Sequence, residues 1–212
     1  MLLSQNFIKD PFVVKELLSV SSINFNDTVV EIGPGRGIIT KELLSLTKKV
    51  IAIEKDQNLY KELLEKFKQE TRLKLSNKNF LVWNLPNKPY KVFSNIPFNI
   101  TAEIIDKFLK SENKPSEIYL ILQTEAAEKY LCNGISTQNS ILSHVFYNIK
   151  ILGEIDRTSF TPKPQINISF VKFVLKENIQ IDIDIYQQFR DFVIFGFNQW
   201  KSDIFNSYKK VF

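Results

Sequence analysis

Seven residues, Glu31-Ile32-Gly33-Pro34-Gly35-Arg36-Gly37, constrain this chain more than any other stretch. The apolar run Thr28-Val29-Val30-Glu31-Ile32 leads into them and reads as a buried strand. An amphipathic segment follows to about Leu46 and reads as a helix. Glycines between strand and helix let the backbone turn sharply and approach a ligand closely. The spacing is G-x-G-x-G, not the G-x-G-x-x-G of dinucleotide sites, and no Gly-Lys-Ser/Thr ending marks a phosphate loop. A nucleoside-type ligand carrying less phosphate fits this loop, and S-adenosylmethionine is the expected cofactor.

A second apolar run, Val50-Ile51-Ala52-Ile53, ends at Glu54, 54 − 33 = 21 residues after Gly33. An acid about 20 residues past the glycine turn is placed to accept both hydroxyls of a ribose. The rest of the chain repeats the alternation of short apolar runs and amphipathic segments, the mark of an α/β protein with a mostly parallel sheet. Asp10-Pro11 can start a helix to about Ser19. Leu59, Leu63, Leu64 and Phe67 share one helical face. Weak strand signal lies at Leu73 to Leu75, and stronger signal at Tyr90 to Ser94 and Ile118 to Leu122. Thr101 can cap a helix carrying Ile104, Ile105, Phe108 and Leu109. Ala126 to Leu131 and Ile141 to Tyr147 look helical. Ile149 to Ile155 and Ile168 to Leu175 read as a closing antiparallel pair. After Lys176 the pattern turns aromatic and helical, with Phe189, Phe192, Val193, Phe197 and Trp200 at core-packing spacing.

Asn95-Ile96-Pro97-Phe98 ends the strand at Tyr90 to Ser94. An exocyclic adenine amine is a poor nucleophile, because its lone pair is delocalised into the ring. Methylating it needs acceptors that hold its N–H groups and tip the lone pair toward a methyl donor. The Asn95 side-chain oxygen and a main-chain carbonyl, that of Ile96, can serve. Pro97 brings no competing N–H and stiffens the turn, and Phe98 offers a face for stacking. A sulfonium donor is reactive enough that catalysis can rest on positioning, with no metal and no strong base. The target base must be single-stranded or flipped out to be reached.

Composition narrows the partners. Lys and Arg outnumber Asp and Glu, 28 to 23, a mild bias toward a polyanion such as nucleic acid. Lys48-Lys49, Lys66, Lys68, Lys209-Lys210, Arg36 and Lys163 are candidate phosphate contacts, although a solvated face explains charge clusters equally simply. One cysteine, Cys132, excludes an internal disulfide, and with the single His144 it cannot build a structural zinc site. Met1 to Ile8 is too short and polar for a signal peptide, and no run approaches 18 apolar residues. A cytoplasmic, metal-free monomer that contacts no membrane is the expectation.

Four stretches together resemble the Erm and KsgA group of rRNA adenine N6-methyltransferases: Ser4-Gln5-Asn6-Phe7-Ile8, Glu31 to Gly37, Ser94 to Thr101, and Phe160-Thr161-Pro162-Lys163-Pro164. Their order and spacing match along nearly the whole chain. The resemblance implies a Rossmann-like class I methyltransferase fold over residues 1–176 and a small helical C-terminal domain over 177–212. It puts Gln5, Asn6 and Ile8 beside the methionine part of the cofactor, Gly33 and Gly35 in the cofactor loop, and Glu54 on the ribose. It makes Asn95, Ile96, Pro97 and Phe98 catalytic. Phe160 resembles a second aromatic near the target base, while a loop anchor held between prolines is its plainer role. Where the family usually carries Asp against the cofactor's adenine amino group, this chain has Asn79, which still offers an amide oxygen but no charge.

Phe197-Asn198-Gln199-Trp200-Lys201 lacks the Arg-Arg-Lys stretch of KsgA-type proteins, and Gln123 to Ala127 also reads as Erm-like. The resemblance therefore implies methylation of an adenine in 23S rRNA and macrolide, lincosamide and streptogramin B resistance. A 16S-directed KsgA-type enzyme and a non-catalytic RNA-binding relative are the alternatives. The tail reaches Phe212, sooner than Erm proteins usually end, which leaves a short chain and a truncated one as two readings.

Overall fold

A computed structural model describes residues 6–131, 136–179 and 181–198. Their core is a seven-stranded sheet in the order β4-β3-β2-β5-β6-β9-β7. Here β2 is Thr28–Ile32, β3 Lys49–Glu54, β4 Leu73–Asn77, β5 Lys91–Asn95, β6 Glu117–Gln123, β7 Tyr147–Ile155 and β9 Ile168–Leu175. The first five strands in this order run parallel, and β9 is antiparallel to both β6 and β7. A two-residue strand β1 (Phe7–Ile8) pairs separately with β8 (Phe160–Thr161). The helices are α1 (Pro11–Ser19), α2 (Ile38–Leu46), α3 (Gln57–Lys66), α4 (Thr101–Lys110), α5 (Thr124–Glu128), α6 (Gln138–Phe146) and α7 (Ile183–Phe197).

The central strands are apolar along their length because both faces are covered. Val29 packs with Val14, Leu18, Leu43 and Phe93 on one face. Val30, one residue on, points to the other face with Phe80, Ile104 and Phe108. On the first face Phe93, Tyr119 and Phe170 form an aromatic row across three strands, at centroid separations of 5.5 to 6.0 Å. The expected α/β architecture, the closing antiparallel pair and the Asp10 cap on α1 all stand, with Asp10 accepting from Phe12 N–H at 2.9 Å.

Two local expectations change. Thr101 is the first helical residue of α4 rather than its cap, because the 3-10 turn Phe98–Ile100 runs straight into the helix and puts Ile100 in the capping position. Of the apolar stripe expected in α7, Val193 is buried, while Phe192 and Phe197 are 46% and 37% exposed. The helix lies on the sheet's helical layer by one flank: Tyr186 meets Phe146 at 4.6 Å between centroids, and Arg190 Nε donates to Asp106 at 3.2 Å. Trp200 of the same stripe, and Cys132, lie outside the described residues.

The chain order fixes where a ligand can sit. From β2 the chain winds outward through β3 and β4, then returns to β5 and winds the other way. The carboxyl ends of β2 and β5 therefore flank the switch point, where open α/β sheets bind ligands.

Candidate active site

A cleft opens at that switch point, lined among others by Asn6, Ile8, Gly33, Glu54, Asn95 and Ile96. Its floor is the glycine turn. Gly33, Gly35 and Gly37 all take positive φ, at 65°, 56° and 74°, a region that costs other residues about 1–2 kcal/mol. The space beside each glycine separates their tasks. A side chain at Gly35 would strike the Phe7 ring at 2.6 Å, and one at Gly37 would strike Phe67 at 2.7 Å and Leu63 at 2.8 Å. Those two glycines let β1 and α3 close on the loop. Nothing lies within 4 Å of the corresponding point at Gly33, so Gly33 offers bare backbone beside open space.

Glu54 stands at the end of β3, 4% exposed, with its carboxylate fixed on both sides. Gly35 N–H donates to Oε2 at 3.1 Å and Asp56 N–H donates to Oε1 at 2.8 Å. Each oxygen keeps a further lone pair, so the acid is aimed and can still accept from two hydroxyls. The bond to Gly35 also ties the acid to the loop.

Across the cleft, β5 and β2 are joined by backbone pairing at Val29↔Lys91 and Val30↔Val92. Beyond that, Ser94 takes over. Its hydroxyl accepts from Ile32 N–H at 3.2 Å and donates to the Ile32 carbonyl. The side chain satisfies both backbone groups of Ile32, which lets the two strands part at their ends without orphaned polar atoms. Asn95 follows at the lip. Its Nδ2 donates to the Asn6 carbonyl at 2.8 Å, which sets the amide's orientation and leaves Oδ1 as its acceptor. The Pro97 carbonyl is taken by Ile100 N–H at 3.2 Å. The Ile96 carbonyl is then the candidate second acceptor, while the Ile96 side chain is buried in the core. Phe98 begins the 3-10 turn, and its ring lies outside the described side chains.

Phe160 needs a correction. It is 1% exposed and packs among Ile8, Ile155 and Ile168 rather than lining the cleft. The physical reason is β8: pairing Ile8↔Phe160 and Phe7↔Thr161, with Lys9 N–H donating to the Ser159 carbonyl at 2.9 Å, turns this segment into the clasp for β1. Of its two possible roles, the structure favours the anchor. It acts at a distance, by holding the strand that presents Asn6 to Asn95.

The other expected residues fall as follows. Asn6 and Ile8 line the cleft, and Gln5 lies outside the described residues. Asn79 sits just past β4 and not in the cleft lining; its Oδ1 accepts from Leu81 N–H at 3.1 Å and starts a 3-10 turn. Arg36 lies at the mouth with its guanidinium 5.7 Å from the Phe7 ring centre. His144 is half-buried: its Nε2 meets the Tyr130 carbonyl at 3.0 Å, and burial lowers its pKa.

Two residues carry more than the sequence reading gave them. Ser94 is a polar residue inside an apolar strand, and that was the available signal. Glu31 is the other. It is 1% exposed on β2, and Thr40 Oγ1 donates to its Oε2 at 2.7 Å. Burial, with repulsion from Glu54, pushes its pKa up to about 8 against the pull of Thr40, so this acid is protonated near neutrality.

The comparisons with known proteins bear on this geometry. The model of a family described as ribosomal RNA adenine dimethylase matches residues 2–212. The chain belongs to that family. An rRNA adenine N-6-methyltransferase of Limosilactobacillus reuteri is 35% identical over 193 residues, covering 90% of this chain and 77% of that protein. A ribosomal RNA small subunit methyltransferase A of Mycoplasmopsis synoviae is 34% identical over 183 residues, covering 84% and 70%. Among solved structures, a dimethyladenosine transferase from Plasmodium falciparum superposes with a TM-score of 0.85 at 24% identity, over 96% of this chain and 74% of that one. The 23S rRNA methyltransferase ErmE superposes with a TM-score of 0.82 at 22% identity, over 97% and 84%. These two establish the class I methyltransferase fold.

Membership makes this dimethylase-family chain an rRNA methyltransferase dependent on S-adenosylmethionine. The residues present fit that cofactor. The Glu54 carboxylate is held in place with acceptor capacity left over, Gly33 offers uncovered backbone, and the turn lacks the elements of a phosphate cradle. Among the described residues no His, Cys, Asp and Glu cluster could hold a metal ion, and no helix is long and apolar enough to cross a membrane.

Proposed function

We propose that this enzyme transfers the methyl group of S-adenosylmethionine to the N6 atom of an adenine in 23S rRNA, and that the product confers macrolide, lincosamide and streptogramin B resistance. The observation that carries the chemistry is the Asn95 amide, whose donor end is committed to Asn6 and whose oxygen remains to accept. When bound, the cofactor supplies an electrophilic methyl on a sulfonium. Glu54 holds the ribose, and Asn6, Ile8, Gly33 and Gly35 enclose the methionine end. Asn95 Oδ1 and the Ile96 carbonyl accept the two N6 hydrogens and draw electron density toward the amine. Pro97 keeps the turn free of a competing donor, and Phe98 stacks on the base. Catalysis is then alignment of a nucleophile on a reactive methyl.

The choice of 23S rests on the tail, where Phe197 to Lys201 lacks the basic stretch of 16S-directed relatives. The relatives named small subunit methyltransferase A support a second reading, dimethylation of a 16S adenine. Tritiated S-adenosylmethionine offered with protein-free 23S and 16S rRNA, followed by mapping of the labelled base, separates them. Label on a 23S adenine N6 supports the proposal. Label on 16S alone moves the enzyme to the second reading, and label on neither sinks both.

Asn79 gives a cofactor prediction. Its single oxygen must serve both Leu81 N–H and the adenine amino group. An Asp could divide those tasks between two charged oxygens. Asn79→Asp is expected to tighten S-adenosylmethionine binding by about tenfold, or roughly 1.4 kcal/mol. Calorimetric titration checks this, and an unchanged Kd removes Asn79 from the adenine site.

A further inference from the structure

Three of the parallel crossovers bury the sheet under helices: α2 after β2, α3 after β3 and α4 after β5. The fourth, from β4 to β5, is a 3-10 turn at Phe80–Val82 followed by a loop. This crossover lays no α-helix on the outer face of β3 and β4; Phe80 and the loop bury Ile51 and Ile53, and beside them a groove runs between the sheet and residues 83–89. Four exposed lysines line it: Lys49, Lys74, Lys78 and Lys88. No Asp or Glu is among its lining residues, and none of the four lysines makes an ion pair among the described residues. Lys49 and Ile51 alternate on one face, and Lys74 pairs with Ile51, so three of these positions follow the sheet itself. The track runs the length of β3, roughly 16 Å at about 3.3 Å per residue, and Lys78 brings it to the cofactor end beside Glu54, whose carbonyl accepts from Lys78 N–H at 3.0 Å.

The groove's other wall is braced. Asn113 Nδ2 donates to the carbonyls of Pro86 at 2.7 Å and Lys88 at 3.0 Å, and Lys107 Nζ donates to the Leu81 carbonyl at 3.0 Å. Trp83 stacks on Phe80 at 6.1 Å and stays partly exposed along the rim. The neighbouring groove, on the far side of the same loop, is built oppositely. There Glu103, Asp106 and Glu112 offset Lys107 and Lys110, and Asp106 pairs with Lys110 at 2.5 Å. An acid-free lysine track beside an aromatic, next to a charge-balanced groove of similar make, selects a polyanion.

We propose that the groove between β3–β4 and the 83–89 loop is a second RNA contact surface, in which Lys49, Lys74, Lys78 and Lys88 hold the phosphate backbone of the substrate rRNA away from the target base. The proposal rests on the rRNA substrate of the family. It adds affinity and register without touching the reacting atoms.

The test substitutes Lys49→Gln, Lys74→Gln and Lys88→Gln together, with Lys78 left native because it adjoins Asn79. Each lost phosphate contact lowers the slope of log affinity against log salt by about 0.7–0.9. The triple variant is expected to lose about two to three from that slope and to raise KM for rRNA by about tenfold or more. Its kcat, cofactor Kd and melting temperature are expected to match the parent. Should the triple variant melt early, Lys74→Gln alone is read by the same slope, with an expected loss of about 0.7–0.9. Full methylation with an unchanged salt slope and KM overturns the groove and leaves the catalytic reading intact. A parent enzyme that methylates neither rRNA, but whose RNA affinity still loses slope in the variant, sinks the 23S reading and keeps the groove. Unchanged RNA binding with weakened binding of poly-glutamate overturns the RNA assignment in favour of an acidic protein.

Discussion

Asn95→Ala is expected to slow methyl transfer by about 10²–10³-fold, the usual cost of removing one preorganised polar group at a reacting centre, while RNA affinity stays within about twofold. Asn95 Nδ2 is spent on the Asn6 carbonyl at 2.8 Å, so truncation removes the remaining oxygen, the group proposed to accept from the N6 amine. That acceptor matters most as the lone pair develops toward the methyl, so its loss falls on kcat more than on KM. RNA affinity is set by distributed phosphate contacts and is little affected. A purely structural role for Asn95 predicts something else. Losing only the tie to Asn6 would loosen β1 and weaken the cofactor, leaving single-turnover chemistry at saturating cofactor near normal. Single-turnover methylation with tritiated cofactor, a cofactor titration and filter binding to rRNA separate the two. Unchanged turnover in the variant removes Asn95 from the catalytic role.

Which parts of the candidate site are legible in the sequence, and which are not, follows from how each residue acts. The glycine turn, Glu54 and the Asn95–Phe98 turn are short-range devices, recognisable because a backbone turn or a strand end demands particular residue types at fixed spacing. The sheet was readable for a similar reason, since strands covered on both faces must be apolar throughout. Ser94 and Phe160 act across the fold instead. Ser94 is meaningful only once β5 lies beside β2, with Ile32 facing its hydroxyl. Phe160 reads equally as a base-facing aromatic or a loop anchor, because local sequence does not say which way a ring points. Its pairing with Ile8, some 150 residues earlier in the chain, turns it inward. The groove along β3 and β4 was hidden too, because what a crossover covers depends on where its loop lies and not on its composition. Lys49 was visible only as half of a charged pair; Lys74, Lys78 and Lys88 are scattered singly, and the strand register brings the groove together.

Glu31 supplies the largest expected effect on stability. In the unfolded chain its carboxyl ionises near 4.5, and in the folded protein burial holds it protonated up to about 8. An acid whose folded pKa is raised contributes fully below its unfolded value, and that contribution is lost as pH rises. Between about pH 4.5 and 8 the unfolded chain releases a proton that the native state keeps, so stability falls with rising pH across this window and levels off above it. At 1.36 kcal/mol per unit the whole window is worth at most roughly 5 kcal/mol. Glu31→Gln keeps the shape and the carbonyl oxygen that Thr40 Oγ1 donates to, and it has no proton to lose. The variant is expected to match the parent near pH 5 and to exceed it increasingly toward pH 8, with the difference constant beyond. Urea unfolding of both proteins at several pH values between 5 and 9 checks this. A difference that does not change with pH would mean that Glu31 is solvated or ionised in the native state. The same experiment bears on the cofactor turn. Glu31 and Glu54 repel when both are charged, and the Thr40 hydroxyl bond and the retained proton let two acids flank one glycine loop. Glu54 is then the one of the two acids that lines the cleft.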